Sequence, residues 1–225
     1  MSTSKISVIG GGSFGTVIAN ITAENGYHVS FWMRNESQAE QLNLTRENSQ
    51  YLPNYRLNER IVATSDMADA VKGSGLIFVA VPSLSFRQVV RDMVPHISED
   101  TVLVSTTKGI ESGSFDMMTQ ILNQEAPKAK VGVLSGPNLA MEIAKKDPTG
   151  TVIASSDEQV RKLVKSALKS KYFRVYSNND MFGVELGGSL KNIYAIIAGI
   201  AAALGMGHNT NSMLVTRALT EMARF

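Results

Sequence analysis

The stretch Lys5-Ile-Ser-Val-Ile-Gly-Gly-Gly-Ser-Phe-Gly-Thr-Val-Ile-Ala19 decides how the rest of the chain is read. Ile6, Val8 and Ile9 form a short apolar run that suits a buried strand. The run ends in Gly10, Gly12 and Gly15, spaced G-x-G-x-x-G, and an apolar helical pattern (Phe14, Val17, Ile18, Ile21) begins at once. A dinucleotide pyrophosphate needs that order. The first glycine makes the tight turn, the second admits the phosphates to the backbone, and the third lets helix and strand pack closely. The helix N-terminus then presents free N–H groups and a positive dipole end. A plain glycine turn is the alternative, but strand before and helix after favour the nucleotide. No Gly-Lys-Ser/Thr follows, which excludes a P-loop.

Beyond this motif, strand and helix patterns alternate. Strands are expected at His28 to Trp32, Ile61 to Ala63, Leu76 to Val81, Thr101 to Ser105, Val131 to Leu134, Thr151 to Ala154 and Phe173 to Tyr176. Helices are expected at Gln38 to Glu47, Met67 to Val71, from Ser83 to about Met93, from Gly136-Pro137 onward with Pro in the first turn, and at Glu158 to Leu168. The continuous apolar run Leu76–Val81 suits a central strand covered on both faces. Repeated β-α units imply an α/β fold, a Rossmann-type, doubly wound, mostly parallel sheet. Past Asp180 no strand is expected. Phe182 to Leu204 and Asn211 to Phe225 read as two apolar helices, so residues 1–180 are expected to form the dinucleotide-binding domain and 181–225 the start of an all-α substrate domain.

Composition bounds the function. The 225 residues are 44% hydrophobic and 19% charged, as in an ordinary globular protein. With 22 basic and 20 acidic residues the net charge of +2 argues for neither nucleic acid nor an anionic membrane as partner. The absence of cysteine removes disulfides, thiolate catalysis and Cys-zinc sites. His28, His96 and His208 show no metal-ligand spacing, so no metal is expected. Met-Ser-Thr-Ser-Lys at the start carries no apolar signal core. The apolar run Ile193–Gly207 is shorter than the roughly 20 residues of a membrane span and reads as a buried core helix, pointing to a cytoplasmic protein.

Three places carry the chemistry. An acid about 20 residues past the glycines would mark NAD selectivity. The second strand ends instead in Phe31-Trp-Met-Arg-Asn35, and Arg34 is placed to pair a 2′-phosphate and stack on adenine, which favours NADPH, with NADH possible. A surface arginine is the alternative. Lys108 follows a strand at its carboxyl end, where ligands bind in such sheets, although a solvated loop lysine fits position alone. Lys191 lies in Gly187-Gly-Ser-Leu-Lys-Asn192, with Gly188, Ala195, Ala198 and Ala202 at helical spacing around it. Small neighbours leave room for a ligand. Desolvation and a second positive charge would lower its pKa and suit it to general acid/base work. The alternative is a lysine whose head snorkels to water. Asn192 is either a second polar ligand or a helix-packing hydrogen bonder.

Taken together, Gly10-Gly-Gly-Ser-Phe-Gly15, Ala80-Val-Pro-Ser83, Lys108-Gly-Ile-Glu111, Ser135-Gly-Pro-Asn-Leu-Ala140, Val184-Glu-Leu-Gly-Gly-Ser-Leu-Lys-Asn192 and Thr216-Arg-Ala-Leu-Thr-Glu-Met222 resemble the bacterial NAD(P)-dependent glycerol-3-phosphate dehydrogenases. The resemblance implies that Ser13, Phe14 and Arg34 contact NADPH, with Ala140 nearby. It implies that Lys108 touches cofactor and substrate, that Gly136 and Asn138 line the substrate pocket, and that Lys191 is the proton acceptor. The reaction implied interconverts sn-glycerol 3-phosphate and dihydroxyacetone phosphate for phospholipid synthesis in the cytoplasm, by a homodimer. Departures are Asn138 where the family often has Ser, Ser189 where Ala or Thr is usual, and Ala202-Ala203 in place of an acid followed by Gly. Members of the family continue for roughly another hundred residues, which would double the helical part. That implies a fragment lacking much of the substrate site. Two other readings stand beside this one: another hydroxyacid or imine reductase of similar layout, and a catalytically dead dinucleotide-binding module.

Overall fold

The computed structural model describes residues 5–224; the Met1–Ser4 part of the N-terminal reading and Phe225 lie outside them. The sheet is built from β1 (Lys5–Ile9), β2 (His28–Trp32), β3 (Ile61–Thr64), β4 (Leu76–Val79), β5 (Val102–Ser105), β6 (Lys130–Ser135), β7 (Thr149–Ala154) and β8 (Phe173–Asn178). The helices are α1 (Ser13–Glu24), α2 (Glu36–Thr45), α3 (Met67–Val71), α4 (Ser83–Met93), α5 (Met118–Glu125), α6 (Ala140–Ala144), α7 (Glu158–Leu168), α8 (Met181–Ala203) and α9 (His208–Met222).

All eight strands join one sheet in the order β3-β2-β1-β4-β5-β6-β7-β8. The order reverses between β1 and β4, the switch point where doubly wound sheets open a crevice at their carboxyl ends. Period-two alternation divides the core between the two faces. On β4, Leu76 and Phe78 join a cluster with Val17, Ile18 and Ile21 of α1 and with Val160 and Val164 of α7. Ile77 and Val79 join a second cluster with Val90 and Phe86 of α4 and with Ile121 and Leu122 of α5. The continuous apolar run of this strand is therefore the signature of cover on both sides.

Several sequence expectations need correction. β7 runs antiparallel to β6. The intervening segment holds only the five-residue α6, which turns the chain back instead of carrying it across the sheet. No helix opens at Gly136-Pro137. The backbone N–H of Asn138 bonds Gly136 O at 2.9 Å and its side chain bonds Thr151 at 3.0 Å, and this turn delays the helix to Ala140. β4 stops at Val79, because Val81 and Pro82 leave the ladder to line the cleft. α2 starts two residues early, where the Asn35 side chain caps it by accepting from Gln38 N. α5 was not anticipated, although Met118, Ile121 and Leu122 stand at i, i+3 and i+4 and are all buried.

The largest correction concerns α8. Its 23 residues are long and apolar enough to cross a bilayer by length and composition, and only 11% of its apolar 18-residue stretch is buried. It is not a buried core helix in this chain. Only its first turns, around Glu185 and Gly188, reach the sheet. The remainder meets α9 on one side, through contacts such as Tyr194 Oη to Glu221 at 3.2 Å.

Candidate functional site: the glycine loop and two converging lysines

The first βα turn is shaped by backbone approach. Gly10 has φ +122°, and a Cβ there would meet Ala80 O at 2.3 Å. A Cβ on Gly15 would meet Gly10 O at 2.0 Å, so only glycine lets α1 enter this close to β1. Gly12 differs from both. It caps α1 without a side-chain hydrogen bond, and nothing stands within 4 Å of where its Cβ would be. The first N–H groups of α1 thus face an open space, as an anion requires.

A clamp absent from the sequence reading stiffens the loop. Asn48 Nδ2 donates to Gly11 O at 2.9 Å and to Thr16 Oγ1 at 2.8 Å, and Gln38 Nε2 reaches Asn48 Oδ1 at 3.0 Å. Asn48 is buried and lies 37 residues from Gly11 in sequence. No local signal could have paired them. Ser13 Oγ donates to Tyr51 O at 2.7 Å, closing the same corner.

The cleft in front of this loop has a volume of about 630 Å³. Gly10, Gly12, Ser13, Phe14, Arg34 and Lys108 all line it. Gly15 lies beneath the floor, buried. Arg34 is exposed at the β2 end of the cleft and, among the described residues, forms no ion pair or side-chain hydrogen bond. These features fit a dinucleotide: an uncapped helix N-terminus, an open glycine and an unpaired guanidinium.

At the other end stand the lysines. Lys108, half-buried, donates to Gly136 O at 3.3 Å, which joins the carboxyl ends of β5 and β6. Lys191 comes close enough to be felt. Burial first, then the positive charge of Lys191, pushes the Lys108 ammonium down to about 8. Among the described residues, the hydrogen-bond acceptor of Lys108 is the Gly136 carbonyl. Of the small residues expected around Lys191, Gly188 packs closely against Ser135 Oγ, Ala198 is half-buried, and Ala195 and Ala202 are exposed.

The remaining candidates sort by distance from this end. Gly136 supplies the carbonyl to Lys108, and a Cβ on it would crowd Gly150 O at 3.0 Å. Asn138 sits on the same turn, with its Oδ1 buried and without a hydrogen-bond partner among the described residues. Asn192 is exposed, and Ala140 packs on the core of the α1 face instead of lining the cleft. The loop from Lys108 to Met117 is held by Arg87, whose guanidinium pairs bidentately with Glu111 at 2.8 and 2.6 Å and also reaches Asp116 and Glu125. The arginine holds the Glu111 carboxyl down to about 2.

Comparison with known proteins agrees with this geometry. The model of the NAD-dependent glycerol-3-phosphate dehydrogenase N-terminus matches residues 5–161, and that of the C-terminus matches residues 180–225. A glycerol-3-phosphate dehydrogenase [NAD(P)+] of Teredinibacter turnerae is 53% identical over 98% of this chain, which spans 65% of that protein. One from Pseudomonas entomophila is 54% identical over 98% of the chain, which spans 64% of it. The solved structure of the glycerol-3-phosphate dehydrogenase of Coxiella burnetii superposes with a TM-score of 0.92 at 37% identity, covering 99% of this chain and 68% of that one. The chain thus spans about two thirds of the length of these relatives, and by its glycine loop, its lysine pair and these matches it belongs to the NAD-dependent glycerol-3-phosphate dehydrogenase family.

Proposed function

We propose that this chain carries the dinucleotide site and the proton-transfer lysine of an NAD(P)H-dependent glycerol-3-phosphate dehydrogenase, with dihydroxyacetone phosphate and sn-glycerol 3-phosphate as its substrate pair. The observation that carries the reading is the meeting of two ammonium groups, Lys108 and Lys191, beside the glycine-loop cleft, with no carboxylate paired to either among the described residues. Two half-buried positive charges repel each other, and an anionic substrate relieves that repulsion.

The roles follow from position. Gly12 and the α1 N-terminus receive the pyrophosphate, Ser13 and Phe14 flank it, and Arg34 reads a 2′-phosphate, so NADPH is preferred and NADH is possible. When bound, the nicotinamide supplies the hydride. Lys191 gives a proton to the carbonyl oxygen at carbon 2, or takes it in the reverse direction. Lys108 neutralises charge next to it, and Gly136 and Asn138 shape the wall. We assign residues 1–180 to the dinucleotide domain and 181–225 to the beginning of the helical substrate domain. The cytoplasm and a homodimer are the setting that the family implies.

The test is Lys191→Ala in an intact chain, assayed with NADPH and dihydroxyacetone phosphate. Turnover should fall by at least about a thousand-fold, with NADPH affinity within about two-fold of the parent. Turnover near the parent rate removes Lys191 from the chemistry. Preference for an unphosphorylated hydroxyacid moves the assignment to another reductase. NADPH binding without turnover by the parent chain leaves a binding module only.

A further inference from the structure

Glu185 is a buried carboxylate that the reading above does not use. It is 3% exposed, on the first turns of α8. It accepts from Thr119 N at 3.1 Å and from the Thr119 hydroxyl, at the N-terminus of α5. Burial pushes its pKa up against those hydrogen bonds. Together with the dipole of α5, these donors hold the carboxylate where it lies.

One turn further along the same face is Ser189. Its hydroxyl donates to Glu185 O at 3.2 Å and accepts from Gly109 N at 3.1 Å. Gly109 follows Lys108 directly and has φ +143°, with Ser83 Cβ 2.9 Å from where its own Cβ would stand. Thus α8 grips the start of the 108–117 loop, at Gly109 through Ser189, and the first turn of α5 just past its end, at Thr119 through Glu185. Between these grips, Arg87 holds the middle of the loop through Glu111 and Asp116. Lys108 starts this loop, and Lys191 lies on α8 just beyond Ser189.

We propose that Glu185 and Ser189 are positioning residues that fix the spacing of Lys108 and Lys191, with Glu185 the main anchor. This rests on the functional reading only in giving the two lysines a use; the spacing itself is a property of the chain. Without the anchor, two like charges lying this close move apart.

The experiment follows the reactivity of Lys108 itself. Amine labelling of the 225-residue chain, read by peptide mass across pH 6 to 11, gives an apparent pKa for each lysine without any substrate. The parent value for Lys108 should lie near 8. In Glu185→Gln it should rise by about one unit, so that labelling at pH 8 falls about five-fold. Lys191→Ala should do the same, because it deletes the neighbouring positive charge that Glu185→Gln lets move away. Ser189→Ala should give a smaller rise, and Glu185→Asp should restore part of the loss. The sign separates the proposal from a simple charge effect. Glu185 acting only as a nearby negative charge would make its neutralisation lower the Lys108 value. A lowered or unchanged value in Glu185→Gln, with the circular dichroism of the parent, overturns the proposal. If Glu185→Gln does not fold, Ser189→Ala decides alone, and an unchanged Lys108 value in it overturns the shared role. Absence of dehydrogenase turnover would count against the functional reading and leave this result standing.

Discussion

The sheet end and the helical end of this chain are built from similarly apolar sequence and end up in opposite states. β4 is apolar and wholly inside, and α1 is buried from Gly15 to Ala23. α8 is apolar and mostly outside, with Ile196 65% and Ile200 56% exposed. Burial therefore does not follow from hydrophobicity alone. It needs a second surface, and the sheet has two layers of helices whereas the α8–α9 hairpin has one neighbour at its base. The site lies where the two regions meet. The glycine-loop cleft belongs to the first, and Lys191 approaches Lys108 from the second.

Substitutions should break this contrast unequally. Phe78→Ala, at a position with no exposure, should cost about 3–5 kcal/mol in urea unfolding, through lost burial and the cavity left behind. A much smaller loss would mean that the sheet core is less tightly packed than its geometry. Gly12→Ala should weaken NADPH about a hundred-fold while the unfolding midpoint barely moves, because its Cβ has room in the protein but takes up space meant for phosphate. Gly15→Ala sharpens the same point, since it should lose both stability and binding. Titration with NADPH and thermal melts of the two variants give the comparison.

Arg34→Ala should weaken NADPH about ten-fold or more and leave NADH within about two-fold, as expected for one charge-assisted contact to a 2′-phosphate. Equal losses would detach Arg34 from cofactor choice. Lys108 gives a pH signature at the meeting of the two regions. Its folded pKa is about 8, below the ordinary lysine value, so between the two the unfolded chain holds a proton that the folded chain has released. Stability should therefore rise with pH across that window, by about 1 kcal/mol or less after solvent screening, and Lys191→Ala should flatten the rise. Smallest of all, Ile196→Ala on the bare face of α8 should change stability by no more than about 0.5 kcal/mol. A large loss there would show that something covers the helix in solution.

Different kinds of signal made different parts readable. The glycine spacing, the strand runs and the switch to helices past Asp180 are local patterns, and local sterics with hydrophobic periodicity suffice to read them. The two lysines were legible as candidates because each stands at the end of an element or in a run of small residues. Their proximity was not, since 83 positions separate them in the chain. Glu185 could have been singled out as the one acid in Val184-Glu-Leu-Gly-Gly, but its partner Thr119 gives no sign of itself. Asn48 had no signal at all.

By itself the sequence determined the element order, the nucleotide turn with its glycines, the lack of an acid at the end of β2, and the kinship with one family of dehydrogenases. Tertiary structure alone decided that β7 turns antiparallel, that burial and the nearby Lys191 bear on Lys108, that Asn48 braces the glycine loop, and that α8 keeps most of its apolar surface bare. The physical reason is range. Backbone sterics and periodicity act within a few residues and leave their mark in the string of letters. Desolvation, repulsion between like charges and the covering of a helix face depend on groups that only the folded chain brings together.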